Sequence, residues 1–196
     1  MIRNSALNDK QEHIKSLLQS CQKGDTRAQF EIYKLYYKAM YNTSLRIVQD
    51  PDQAEDVMQE AFLSAFTKLH TFKGEVPFGA WLKRIVINKS LTAVKKVSRL
   101  QEVKLEVVEH ELQGDASGIA SEDRTDYASM RVKEVMMAMG KLQDNYRVIL
   151  NLSLIEGYDN EEIAGILEIS NESCRTTISR AKSKLRQILS DSSIIN

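Results

Sequence analysis

The chain has 196 residues, 42% of them hydrophobic and 28% charged, and its 27 basic and 27 acidic side chains balance to a net charge of zero. That is room for one domain or two small ones in a soluble protein; no run reaches the ~20 apolar residues of a membrane span, and the polar residues 1–10 lack the apolar stretch of a secretory signal, so a cytoplasmic protein without membrane insertion is expected. Cys21 and Cys174 form no CxxC pair and His13, His70 and His110 are scattered, which argues against a zinc site or a disulfide framework; with no phosphate loop or nucleophile elbow, no cofactor and no catalytic group are expected.

The zero net charge hides segregation along the chain. Residues 1–101 carry 16 basic and 10 acidic side chains, residues 102–126 carry 2 and 8, and residues 127–196 carry 9 of each. Helical periodicity dominates and no alternating strand pattern competes with it, so an all-α fold is expected, with two small helical domains over 1–99 and 127–196 joined by a flexible acidic linker over 100–126.

In chain order, Asp25 can cap a helix over about residues 26–48, with Phe30, Tyr33, Tyr37, Met40 and Tyr41 as its recurring apolar positions. Asp50-Pro51-Asp52-Gln53 then reads as an N-cap, a proline at the first helical position and a capping-box partner. The helix that follows carries Ala54, Val57, Met58, Ala61, Phe62, Ala65, Phe66 and Leu69, a continuous core stripe. On its opposite face Asp52, Asp56, Gln59 and Leu63 align, with Glu60 beside them. A leucine set among acids on an outer face suits a partner, although single exposed leucines are also ordinary. Residues 71–77 form a loop with Phe72, Gly74 and Pro77. A further helix from Phe78 to about Ser98 places Phe78, Trp81, Leu82 and Ile85 on one side and has no acid between Lys83 and Arg99.

Residues 100–126 lose the helical signal, and Gly114, Ser117, Gly118 and Ser121 lie among the acids. This reads as a solvated tether, or as a strip whose charge screens the basic helix before it. Helices resume near Tyr127. Asp159 and Glu162 mark a helix start with Ile163, Ala164 and Leu167 inside; Glu168 to Asn171 is a short break; Ser170 or Asn171 can cap the next helix. That helix buries Cys174, Ile178, Ala181, Leu185 and Ile188 and leaves Arg175, Thr176, Thr177, Ser179 and Arg180 outward. Its five basic residues from Arg175 to Arg186 meet no acid. The pair fits a helix-turn-helix with a major-groove recognition helix, or an ordinary antiparallel helix pair with a basic face.

Three blocks resemble region 2 of the extracytoplasmic-function group of sigma-70 family RNA polymerase sigma factors. They are Gly24-Asp25 through Tyr37, the run from Ala54 to Phe62, and Phe78 to Ile85 with Asn88. Two more resemble region 4: Leu142 to Leu150, and Glu156-Gly157-Tyr158 followed by Glu162-Ile163-Ala164 and Arg180 to Arg186. The resemblance implies a transcription initiation factor that catalyses nothing and directs core polymerase to −10 and −35 promoter elements. It implies that Asp52, Asp56, Gln59, Glu60 and Leu63 dock on the clamp helices of the largest polymerase subunit, with the beta flap as a second contact. It assigns Phe72, Lys73, Lys83, Arg84, Asn88 and Lys89 to −10 DNA and Arg175, Thr176, Thr177 and Arg180 to −35 DNA. Phe72 and Trp81 are open between base stacking and core packing. The family's usual partner is an anti-sigma factor. Departures occur at Gln143, at Glu172-Ser173-Cys174, at Thr177, and at Thr92 and Lys95, which leaves the promoter sequence undetermined. The alternative function is a helix-turn-helix regulator with no role as a polymerase subunit.

Overall fold

The computed structural model describes the backbone of residues 2–105 and 127–193, and the side-chain surroundings of residues 11–95 and 130–191. Every regular element among the described residues is helical. Contacts divide the chain into two compact units, residues 1–100 and 101–196.

The first unit holds α1 (Ile2–Gln22), α2 (Thr26–Val48), α3 (Pro51–Thr67), a 3-10 turn over Leu69–Thr71 and α4 (Phe78–Leu105) up to residue 100. Helix α1 was not anticipated from the sequence. It packs Ile14, Leu17, Leu18 and Cys21 against the core, an i, i+3, i+4, i+7 pattern. Gly24 then takes a left-handed conformation (φ +85) that reverses the chain. Asp25 caps α2 by accepting from the Arg27 and Ala28 amides at 2.8 and 3.3 Å. The buried residues of α2 are Ala28, Ile32, Met40, Thr43, Ser44 and Ile47. Of the aromatic positions expected inside, Phe30 and Tyr37 are instead exposed, at 57% and 44%. The small and aliphatic residues at spacings of four define the inner stripe, and the aromatics ride its flank.

The α2–α3 corner follows its local chemistry. Gln49 is left-handed (φ 61) and its amide closes on the Leu45 carbonyl. Asp50 accepts from the Gln53 amide at 2.7 Å, and Pro51 opens α3, where its missing N–H costs nothing. Ala54, Val57, Met58, Ala61, Phe62 and Ala65 are all buried, as the periodicity predicts. Helix α4 buries Phe78, Leu82, Val86, Ile87 and Ser90. The Ser90 hydroxyl donates to the Val86 carbonyl at 2.8 Å, and its oxygen lies 3.1 Å from Ser44 Oγ, a buried polar tie between α4 and α2. Residues 100–105, expected in the linker, continue α4. The remainder of the expected linker, 106–126, lies outside the described residues.

Gly79 marks a close approach of α4 to α2. A Cβ there would sit 2.8 Å from Tyr36 Cε1. That ring is wedged edge-on against Phe78, with centroids 5.5 Å apart, so it cannot simply swing away. Gly79→Ala is therefore expected to lower stability by about 1–3 kcal/mol, the clash outweighing the ~1 kcal/mol gain in helix propensity. A lower urea midpoint with an unchanged slope would show this, and an unchanged or higher midpoint would show that the ring yields freely.

The second unit contains α5 (Tyr127–Gly140), α6 (Asp144–Leu150), a π-helical segment (Asn151–Ile155), α7 (Asn160–Leu167) and α8 (Asn171–Ser193). Helix α8 is the spine, with α5, α6 and α7 packed against it. Arg147 is nearly buried. It pairs with Asp144 at 2.8 Å and donates to the Leu142 carbonyl, bracing the start of α6. In the π segment the Glu156 amide donates to the Asn151 carbonyl, one residue further back than in an α-helix.

Candidate functional site

Three surfaces stand out, two on the first unit and one on the second. The first is the outer face of α3. The buried stripe fixes the rotation of this helix, so Asp52, Asp56, Gln59, Glu60 and Leu63 are all exposed. Leu63 is 68% exposed, the highest value among the described large apolar side chains outside the core. Gln59 donates to Glu55 Oε1 at 3.1 Å, which leaves Asp52 and Asp56 on the acidic ridge.

The second surface lies between α3 and α4. A shallow groove is lined by Ser64 of α3 and Lys68, which caps its C-terminus, and by Ile85, Asn88, Lys89 and Thr92 from α4. Sequence reasoning named Asn88 and Lys89 but missed Ser64 and Lys68. No spacing within one helix marks them, because the groove exists only where α3 and α4 lie together. Lys83 and Arg84 are half-buried and engaged. Lys89 Nζ lies 3.1 Å from Glu60 Oε2 and so joins α4 to α3. A residue expected at the polymerase face and one expected at DNA are thus paired with each other.

The loop that precedes α4 has an exposed tip from Lys73 to Pro77, turned by Gly74 (φ +77). Phe72 is half-buried at its base. Its ring centroid lies 5.6 Å from that of Phe78 and 5.3 Å from that of Trp81, and Trp81 lies 5.7 Å from Phe78. Edge and tilted contacts of this kind are worth ~1 kcal/mol each beyond area burial. Both aromatic candidates are therefore packed in one cluster, and the tip beyond them is polar apart from Val76 and Pro77.

The third surface is on α8. Asp159 accepts from the Glu161 and Glu162 amides, and Glu162 returns a bond to the Asp159 amide at 2.9 Å, the full capping box of α7. Glu168 then turns left-handed (φ 58) and Ser170 Oγ accepts from the Ser173 amide, so α8 starts after a tight break. Cys174, Ile178, Ala181 and Leu185 are buried, and Ile188 is half-buried. Arg175, Thr176, Ser179 and Arg180 are exposed, but Thr177, expected outward, is half-buried. At ~100° per residue it lies only about 70° from the centre of the buried stripe. Cys174 has no exposed surface, and burial pushes its thiol pKa up despite the neighbouring Arg175. Cys21 is raised in the same way, by burial first and by Asp25 second. Both are packing residues rather than reactive thiols.

Among the described residues no helix is long and apolar enough to cross a membrane, and no group of three or more His, Cys, Asp or Glu side chains is placed to hold a metal ion.

Comparison with known proteins bears on all three surfaces. The family model for Sigma-70 region 2 matches residues 32–100, and that for Sigma-70 region 4 matches residues 133–185. The chain is 31% identical to the RNA polymerase sigma-H factor of Pseudomonas aeruginosa, over 91% of this chain and 95% of that one. It is 29% identical to the ECF RNA polymerase sigma factor SigW of Bacillus subtilis, over 91% and 97%. Among solved structures it shares its fold with CnrH in complex with the cytosolic domain of CnrY, with a TM-score of 0.52 at 23% identity over 89% of this chain and 96% of that one. It shares it also with RpoE in complex with the anti-sigma factor NepR from Bartonella quintana, with a TM-score of 0.56 at 21% identity over 82% and 95%. These matches set aside the reading as a regulator without a polymerase role. The chain belongs to the extracytoplasmic-function group of the sigma-70 family, the non-enzymatic initiation factors that direct RNA polymerase to specific promoters.

Proposed function

We propose that residues 1–99 bind core polymerase and open −10 DNA, that residues 127–196 hold −35 DNA, and that 100–126 connect the two. The acidic outer face of α3 docks on the clamp helices of the largest subunit through Asp52, Asp56, Gln59, Glu60 and Leu63. The observation that carries this is the exposure of Leu63, 68%, at the C-terminal end of a ridge that holds Asp52, Asp56 and Glu60, on a helix whose opposite face is buried. An apolar anchor ringed by charges is the usual form of a protein contact of this size. The beta flap contacts the second unit, and an anti-sigma factor competes for these surfaces in the cytoplasm, where core polymerase resides.

For −10 DNA, Lys73 at the exposed loop tip and Lys83, Arg84, Asn88 and Lys89 on α4 supply the contacts. Phe72 serves by anchoring the loop on Phe78 and Trp81. For −35 DNA, Arg175, Thr176 and Arg180 face the major groove, and Thr177 supports them from the edge of the stripe. Arg175 and Arg180 are about 7.5 Å apart along the helix axis at ~1.5 Å per residue, about two base-pair steps.

The loop assignment has a separate test. Lys73→Ala should reduce strand opening at least about fivefold, the scale of one charge-assisted hydrogen bond, while polymerase binding and the melting curve stay as they are. Permanganate reactivity around the start site reports opening. Phe72→Ala should instead lower the melting temperature, because it empties one corner of the aromatic cluster. Normal opening with Lys73→Ala would remove the loop tip from the −10 site.

A further inference from the structure

The ion pair between Glu60 and Lys89 joins two surfaces that have been given different partners. The residues are 29 apart in sequence and their charged atoms lie 3.1 Å apart. The Glu60 side chain is 68% exposed and reachable from outside, whereas Lys89 is 29% exposed and lines the α3–α4 groove beside Asn88 and Lys68. Along α3 and its C-cap, Glu60, Ser64 and Lys68 follow one another at spacings of four, so Glu60 places an acid beside the basic groove. A phosphate entering that groove meets a lysine already committed to a carboxylate, and an approaching anion is repelled by Glu60 itself.

We propose that Glu60 is an autoinhibitory residue: in the free protein it holds Lys89 and lowers the affinity of the groove for nucleic-acid phosphates, and polymerase releases Lys89 by engaging Glu60. This rests on the reading of α3 as the polymerase face and of Lys89 as a DNA contact. The release follows from charge. A partner that docks on Asp52, Asp56 and Glu60 presents positive charge to them, and a carboxylate satisfied by that partner no longer competes for Lys89. DNA binding is thereby made conditional on polymerase binding through one exchange of partners. The pair is partly solvated, so the effect is modest and falls with salt.

The test uses the full-length chain and a fluorescent single-stranded DNA of mixed sequence, with binding read by anisotropy at low ionic strength. Glu60→Gln should raise the affinity of the free protein about two- to fivefold. Glu55→Gln removes the same charge from the same helix without touching Lys89, and should have a smaller effect. In a Lys89→Gln background the gain from Glu60→Gln should vanish, and in the presence of saturating core polymerase it should fall to about one. An equal gain from Glu55→Gln, or a gain that persists without Lys89 or in the presence of core, overturns the proposal. If Lys89→Gln weakens DNA binding but Glu60→Gln leaves it unchanged, the latch alone is wrong. If Lys89→Gln changes nothing in the free protein or with core, the assignment of Lys89 to DNA falls and the latch falls with it.

Discussion

Replacing Asp56 and Leu63 together by arginine is expected to abolish polymerase binding while the helical fold stays intact. Both side chains are exposed on the face of α3 opposite its buried stripe, so neither substitution enters the core. Surface changes of this kind alter stability by about 0.5 kcal/mol or less. The interface loses far more. Leu63 is the apolar anchor of the proposed contact, and reversal of Asp56 sets like charges against each other, so the affinity for core should fall at least about a hundredfold. Circular dichroism and thermal melting check the fold, and titration of labelled protein with core polymerase checks the affinity. A folded double variant with wild-type affinity would move the interface off α3.

The second large effect belongs to α8. Arg175→Ala and Arg180→Ala are each expected to cost about 1–3 kcal/mol of promoter affinity if the arginine reads a base edge. The loss should then fall on promoters with the matching −35 sequence and be small on others. If the arginine holds only phosphate, the loss should be similar on all promoters, with a shallower dependence on salt. In-vitro transcription from a set of −35 variants separates these outcomes. Thr177 gives an internal comparison: half-buried beside the stripe, it should affect stability as much as DNA binding. Arginine variants that transcribe all promoters normally would take α8 out of the −35 contact.

How much of this was legible in the sequence depends on whether a feature is local. The α3 stripe from Ala54 to Ala65, the Asp50-Pro51 start and the Asp159–Glu162 capping box are all set by neighbours within four residues, and each appears where the spacing put it. The same holds for the buried stripe of α8. Helix α1 was equally local, carried by Ile14, Leu17, Leu18 and Cys21, and was missed because its polar start masked the pattern. In α2 the aromatic positions mark the helix but not its inner side: Ala28, Ile32 and Met40 face inward and Phe30 faces out, because α1 and α3 select the side of α2 that is buried. The π segment at Asn151 left no periodic trace. The groove residues Ser64 and Lys68, and the Glu60–Lys89 pair, depend on how α3 and α4 lie together, which no spacing within one helix can give. The acids of α3 and the bases of α4 could be read, but not that one of each would meet.

Reconstitution shows whether this chain lends promoter selectivity to core polymerase through one surface for polymerase and another for promoter DNA. Purified chain and core polymerase should co-elute on gel filtration, and the mixture should give run-off transcripts only from templates that carry the matching −10 and −35 elements. Asp56→Arg with Leu63→Arg should remove both co-elution and transcription. Arg175→Ala with Arg180→Ala should keep co-elution and lose selective transcription. A chain that binds promoter DNA tightly by itself and elutes apart from core would contradict the account.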